Sequence, residues 1–145
     1  MISVNIVCVG KIKEEFYRAA VAEYLKRLTR FCRCEVTELP EGKNLEEEGS
    51  AILKRARGYV VALCVEGVKM SSQGLASRMK ELCDRGERIT FVIGSSEGLS
   101  PKVKEAAKLR LSFSDMTFPH QLMRVILCEQ IYRAFMINGG GEYHK

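Results

Sequence analysis

Five apolar runs recur along this 145-residue chain, at Ile2–Val9, Glu35–Leu39, Tyr59–Val65, Ile89–Ile93 and Leu109–Phe113. They are rich in Val, Ile and Leu and scarcely alternate with polar residues, the pattern of strands buried on both faces. Helix-like segments separate them, at Lys13–Arg30, Leu45–Arg57, Ser72–Arg85, Pro101–Lys108 and Pro119–Ile137. Alternating strands and helices predict an α/β fold: one domain over residues 1–145, with a mostly parallel sheet covered on both faces. Ligands in such folds sit in the loops that follow the strands.

Several classes are disfavoured at once. No apolar run approaches the ~20 residues a membrane span needs. The N-terminal run has no basic segment before it and no small-residue cleavage site, so it reads as a first strand rather than a signal peptide. Six cysteines invite a disulfide or zinc reading. Cys8 and Cys64 lie in strand-like runs and Cys83 and Cys128 in helix-like ones, where a thiol behaves as a small hydrophobe. Cys32-Arg33-Cys34 has a one-residue spacing that fits neither a redox pair nor a usual zinc site. The expectation is reduced structural cysteines, a cytoplasmic protein and no metal, since His120 and His144 neighbour no cysteine pair. A net charge of +5, from 23 basic and 18 acidic residues, points weakly to an anionic partner.

The last third concentrates the signals. Gly94-Ser95-Ser96-Glu97-Gly98 joins a strand to a helix and is neither a P-loop nor a dinucleotide fingerprint; a ligand-approach loop and a plain tight turn both fit it. Phe113-Ser114-Asp115-Met116-Thr117-Phe118 follows the next strand and mixes aromatic with polar side chains. It suits a pocket for a flat heterocycle, or a loop pinned by two core aromatics. Ser100 can cap the helix that Pro101 starts, with Val103, Ala106 and Ala107 inward and Lys102, Lys104 and Lys108 outward. The first helix places Phe16, Ala20, Tyr24 and Leu28 in one apolar stripe, with Tyr17, Val21 and Leu25 beside it. The last helix is apolar around its whole circumference, which predicts cover on every side and hence a homodimer interface. Glu129 and Arg133 are one turn apart and can pair, whereas Arg124 has no obvious local partner. His120 reads as structural. Gly139-Gly140-Gly141 then leads to Tyr143-His144-Lys145, either a frayed end or an arm that stacks on and clamps a nucleotide.

Taken together, IGSSEGLSP, RLSFSDMTFPHQLMRVILCEQIYRAFMI and the final YHK resemble the RlmH family, ribosomal RNA large-subunit pseudouridine methyltransferases of the SPOUT class. Val9-Gly10-Lys11, Glu23-Tyr24 and Pro40-x-Gly42-Lys43 match as well, so the resemblance spans the chain. It implies a C-terminal trefoil knot and a homodimer. It also implies S-adenosyl-L-methionine held at Leu63, Gly94, Phe113, Ser114, Asp115, Met116, Thr117 and Phe118. The implied reaction methylates ring nitrogen three of a pseudouridine in 23S rRNA, in the ribosome or large subunit. That nitrogen must lose a proton, and His144 is the candidate acceptor. Arg124, Arg133, Tyr143 and Lys145 are the candidate substrate contacts. The family commonly has Gly-Gly-Pro-Glu-Gly at 94–98, and His-Pro where this chain has Gly141-Glu142. A noncatalytic ribosome- or RNA-binding factor on the same fold is the alternative, followed by a small-molecule enzyme with a flavodoxin-like sheet.

Overall fold

The computed structural model describes residues 1–141 and Tyr143. Strands β1 (Ser3–Val9), β2 (Arg33–Leu39), β3 (Tyr59–Lys69), β4 (Ile89–Ile93) and β5 (Leu109–Ser112) form one sheet in the order β2-β1-β4-β3-β5. Every strand pairing is parallel. Helices α1 (Glu15–Leu28), α2 (Leu45–Arg55), α3 (Ser72–Asp84), α4 (Pro101–Ala106) and α5 (His120–Asn138) connect or follow the strands.

The period-two geometry of a strand splits its side chains between two cores. Val4, Ile6 and Cys8 of β1 and Ile89, Phe91 and Ile93 of β4 join α1, α3 and α5 on one face. Val7, Val9 and Val92 point the other way, to Ile52 of α2 and Val103 of α4. Double-sided burial is why these strands lack polar alternation. Thr90, buried in β4, exchanges hydrogen bonds with the Arg57 backbone at 2.6 and 3.2 Å.

Local chemistry sets the helix starts. Asn44 accepts from Glu47 N at 2.8 Å, Ser71 from Gly74 N at 3.0 Å and Ser100 from Val103 N at 3.3 Å, each satisfying an otherwise orphaned donor. In α2, Glu46, Glu47 and Glu48 occupy the first turn and Lys54 and Arg55 the last, complementing the helix dipole.

Three expectations need correction. Phe16 does not join the buried stripe of α1; it is 65% exposed, and the helix buries Val21 and Leu28 instead. The register places Phe16 at the helix start, beyond the edge of the core. Strand β3 does not end at Val65 but continues to Lys69, after an irregularity between Leu63 and Val68 in its pairing with β5. Around α4, Val103 is buried and Lys102 and Lys108 exposed as expected, but Ala106 is exposed and Lys104 half-buried, the reverse of the expectation for those two. The helix has only six residues, and Lys104 is drawn toward Glu66 on the β3 extension.

Helix α5 packs against both α1 and α3. Of its residues, Arg124, Leu127, Cys128, Ile131, Tyr132, Ala134 and Phe135 are buried. Leu122, Val125, Ile126 and Ile137 are only half-covered by the described residues.

Candidate functional site

The sheet order creates a crevice above β3. The loop after β4 leads to α4 on one face, and the loop after β5 leads to α5 on the other. They part over the C-terminal end of β3, where open α/β sheets place ligands. The resulting cavity holds about 560 Å3, within the range of small-molecule sites.

Seven of the eight positions expected to hold a cofactor line this one cavity: Leu63, Gly94, Phe113, Ser114, Met116, Thr117 and Phe118. Asp115 does not. Its carboxylate turns outward and accepts from Lys69 Nζ at 2.6 Å, with both side chains mostly exposed. Such a pair contributes little, so Asp115→Asn is expected to change stability by less than about 1 kcal/mol in urea denaturation. A clearly larger loss would contradict the exposed contact.

The β4–α4 loop is held tightly. Gly98 N donates to Ser95 O at 2.8 Å, and Gly98 adopts φ +90°, a conformation that favours glycine. Ser95 Oγ donates to Glu48 Oε1 at 3.0 Å, while Glu48 Oε2 accepts from Gly42 N at 3.1 Å. One buried carboxylate on α2 thereby fixes two loops. In the β5–α5 loop, Ser112 Oγ donates to Ser114 O at 2.9 Å and Met116 N donates to Ser114 Oγ at 3.0 Å. These bonds leave Met116 projecting at the rim, 73% exposed.

Beyond the expected set, Glu66, Lys104, His120 and Met123 also line the cavity. Lys104 forms an ion pair with Glu66, and its hydrogen bond lowers the Glu66 carboxyl below its usual range. His120 was expected to be structural but stands in the wall. Burial, then the nearby Arg124 guanidinium, push its imidazole below the ordinary value; Lys13 pushes the same way and Glu41 opposes. The irregular β3 extension that carries Glu66 has no sequence signature, whereas His120 could have been suspected from its place directly after the β5–α5 loop.

The expected substrate contacts fare differently. Arg124 is 1% exposed, not on an RNA-facing surface. Its Nη1 donates to Glu38 Oε2 at 2.8 Å, and its Nη2 to Val9 O and Gly10 O at 3.0 and 2.7 Å. Its partner was not local but 86 residues away, across the end of the sheet. Arg133 pairs with Glu129 at 2.6 Å. Tyr143 folds back onto α5: its hydroxyl donates to Glu129 Oε2 at 2.9 Å and its ring lies 4.9 Å from the Arg133 guanidinium. Burial, together with hydrogen bonds to Tyr24 and Glu129, raises the Tyr143 phenol well above its ordinary value. Arg133 and Tyr143 do not line the cavity. His144 and Lys145, the expected proton acceptor and a substrate contact, lie outside the described residues.

The described residues contain no group of three or more His, Cys, Asp or Glu side chains that could hold a metal ion. Nor do they contain a helix long and apolar enough to cross a membrane. All six cysteines are free thiols, with Cys8 raised to about 11 and Cys128 to about 12 chiefly by burial.

The model of the family described as predicted SPOUT methyltransferase matches residues 2–144. Ribosomal RNA large subunit methyltransferase H of Bifidobacterium animalis subsp. lactis is 48% identical over 158 aligned positions, covering 99% of each chain. The protein of that name from Clostridioides difficile is 46% identical, again with 99% coverage of each. Among solved structures, the SpoU methyltransferase AviRb of Streptomyces viridochromogenes, in complex with AdoMet, superposes with a TM-score of 0.53. That alignment covers 97% of this chain and 59% of that one at 9% identity, a likeness of fold alone. With a family model matched almost end to end and full-length relatives near half identity, this chain belongs to the SPOUT methyltransferase family.

Proposed function

We propose that this protein methylates ring nitrogen three of a pseudouridine in 23S rRNA of the ribosome or large subunit, using S-adenosyl-L-methionine. One observation carries the reading: seven positions that the resemblance assigns to the cofactor, separated by up to 55 residues in sequence (Leu63 to Phe118), converge on a single cavity. The relatives near half identity are named as large-subunit rRNA methyltransferases, which supports the substrate class.

The cavity suits the cofactor chemically. Leu63, Phe113 and Phe118 offer apolar faces for a purine, and the serine-rich loops offer backbone and hydroxyl groups to its polar edges. When bound, S-adenosylmethionine supplies an electrophilic methyl on a sulfonium. The protein's own task is alignment: the β4–α4 loop, tied down by Glu48, fixes one wall, and the Ser112–Ser114 bonds fix the other.

The reading carries with it the trefoil knot and the homodimer that the resemblance implies. The half-covered Leu122, Val125 and Ile126 of α5 are a fitting two-fold contact. Arg133 lies 13 residues along α5 from His120, about 20 Å at the helical rise. If Arg133 and Tyr143 touch the substrate, they therefore serve a neighbouring subunit's cavity more readily than their own.

Calorimetry with S-adenosylmethionine and a methyl-transfer assay on ribosomes lacking the modification test the reading. Binding followed by transfer to pseudouridine is expected. Absence of binding at millimolar ligand would refute the methyltransferase reading and favour the noncatalytic RNA-binding alternative.

A further inference from the structure

A second groove adjoins the cofactor cavity. It holds about 390 Å3 and is lined by Glu14, Phe16, Tyr17, Pro119, His120 and Gln121. Pro119 and His120 belong to both linings, so the two spaces meet at the first turn of α5. Lys13 N donates to Gln121 Oε1 at 3.0 Å, pinning the β1–α1 segment against α5 and setting the groove's width.

The groove carries an unusual wall. Phe16 is 65% exposed, and its ring centroid lies 4.5 Å from that of Tyr17 at a tilt of 59°. The tilted Tyr17 ring supports the Phe16 ring and helps hold its orientation. An exposed aromatic face is what an unstacked nucleobase needs, because every base has a π face. Lys11 and Lys13 are exposed on the segment leading into the groove, where phosphates flanking such a base would run. Arg18 bonds Glu15 at 2.6 Å and Ile12 O at 2.9 Å, which offsets one of the two acidic groups nearby. Among the described residues no hydrogen bond engages the His120 imidazole, leaving a ring nitrogen available at the junction.

We propose that this groove seats the target base, with Phe16 as its stacking platform and His120 as the acceptor of its imide proton. The inference rests on the methyl-transfer reading above and moves the proton acceptor from His144 to His120. In the step, the N–H bond breaks, its proton goes to an imidazole nitrogen of His120, and its electron pair stays on the ring nitrogen. That pair forms the new N–CH3 bond, the C–S pair remains on the departing thioether sulfur, and the imidazolium returns its proton to solvent.

The surroundings favour a neutral imidazole. Arg124 on α5 and Lys13 before α1 disfavour its protonation, as burial does, and these outweigh Glu41 from the β2–α2 connection. Glu14, on the groove rim, is the remaining charged neighbour in the lining. The imidazole, lowered from its ordinary value, stays an available base further into acid, so the acid limb of kcat/KM, which reports the free protein, lies below the ordinary histidine value.

The test compares wild type with Phe16→Ala, Phe16→Tyr and His120→Gln. It measures affinity for unmodified large subunits or ribosomes without cofactor, S-adenosylmethionine affinity by calorimetry, and both kcat and kcat/KM against pH. Phe16→Ala is expected to weaken ribosomal binding by roughly tenfold, the scale of one lost stacking contact. Phe16→Tyr should retain it, and both should keep the wild-type cofactor affinity. His120→Gln should bind both ligands as wild type does, lower kcat by about a hundredfold and abolish the acid limb. Wild-type ribosomal affinity in Phe16→Ala would overturn the platform, as would a loss that accompanies dissociation of a dimer in sedimentation. An unchanged kcat and acid limb in His120→Gln would overturn the proton acceptor. A wild-type protein that neither binds the cofactor nor transfers methyl refutes the methyl-transfer reading instead, and the Phe16 comparison still decides whether the groove binds RNA.

Discussion

Replacing Arg124 with alanine is expected to destabilise the fold by about 3 kcal/mol, the low end of the loss for breaking a buried ion pair. The guanidinium is 1% exposed and holds three acceptors at once: the Glu38 carboxylate and the carbonyls of Val9 and Gly10. Alanine leaves the two carbonyls without this donor and Glu38 without its cation. Glu38 is partly exposed and still accepts from Ile12 N at 2.9 Å, so water can recover part of the loss. That is why the low end is expected. In a chain of this size each kcal/mol lowers Tm by roughly 2–4 °C, so the melt should fall by roughly 6–12 °C. Arg124→Lys should recover only part, because a point charge cannot reach carboxylate and carbonyls together as the planar fork does. The Arg124 Nε has no partner among the described residues, so the cluster is not perfectly satisfied even in the parent protein. A Tm within 2 °C of the parent for Arg124→Ala would show that these bonds contribute nothing net.

Arg124 also marks where the sequence stops being legible. Its helix was visible from Pro119 onward, and so was its paired neighbour Arg133, because the Glu129–Arg133 spacing is local. The Glu38 partner is 86 residues away and depends on β1 lying between β2 and β4. No periodicity encodes that order. For the same reason, the apolar runs announce five strands but not that β2 is an edge strand with only Leu39 buried, nor that β5 pairs with the extended end of β3. The two loops that the resemblance assigns to the cofactor were legible as small-residue and aromatic segments after strands, and their convergence follows once β4 and β5 flank β3 in one parallel sheet. Asp115 was placed in the cavity because its loop is, yet Lys69 on the extended β3 draws its side chain outward. Phe16 failed for a simpler reason: helical periodicity says which residues share a face, not how far the core reaches along it. His120 was legible as a residue, but its role at a junction of two spaces exists only in three dimensions.

Replacing Gly94 with alanine is expected to weaken S-adenosylmethionine binding by roughly a hundredfold or more, the scale set by ångström-level misplacement of a site wall. A Cβ at Gly94 would lie 2.1 Å from Gly98 O, 2.4 Å from Gly98 C and 3.0 Å from Leu99 N. All three are backbone atoms, so no side chain can rotate aside. The turn must open instead, straining the Gly98 N to Ser95 O bond and pulling Ser95 from Glu48. Gly94, Ser95, Ser96, Gly98 and Leu99 all line the cavity, so the displacement removes one wall rather than one contact. Gly98→Ala supplies the contrast. Its φ of +90° disfavours any side chain, at a cost of about 1–2 kcal/mol, but an added Cβ meets nothing within 4 Å. It should therefore lower the melting temperature while keeping cofactor affinity within a few-fold of the parent. Calorimetry on the two variants, with melts to confirm folding, separates steric closure of the turn from its conformational preference. If Gly94→Ala binds S-adenosylmethionine as tightly as the parent, the β4–α4 turn is not a wall of the cofactor site, and the cavity's correspondence with the expected positions loses its meaning.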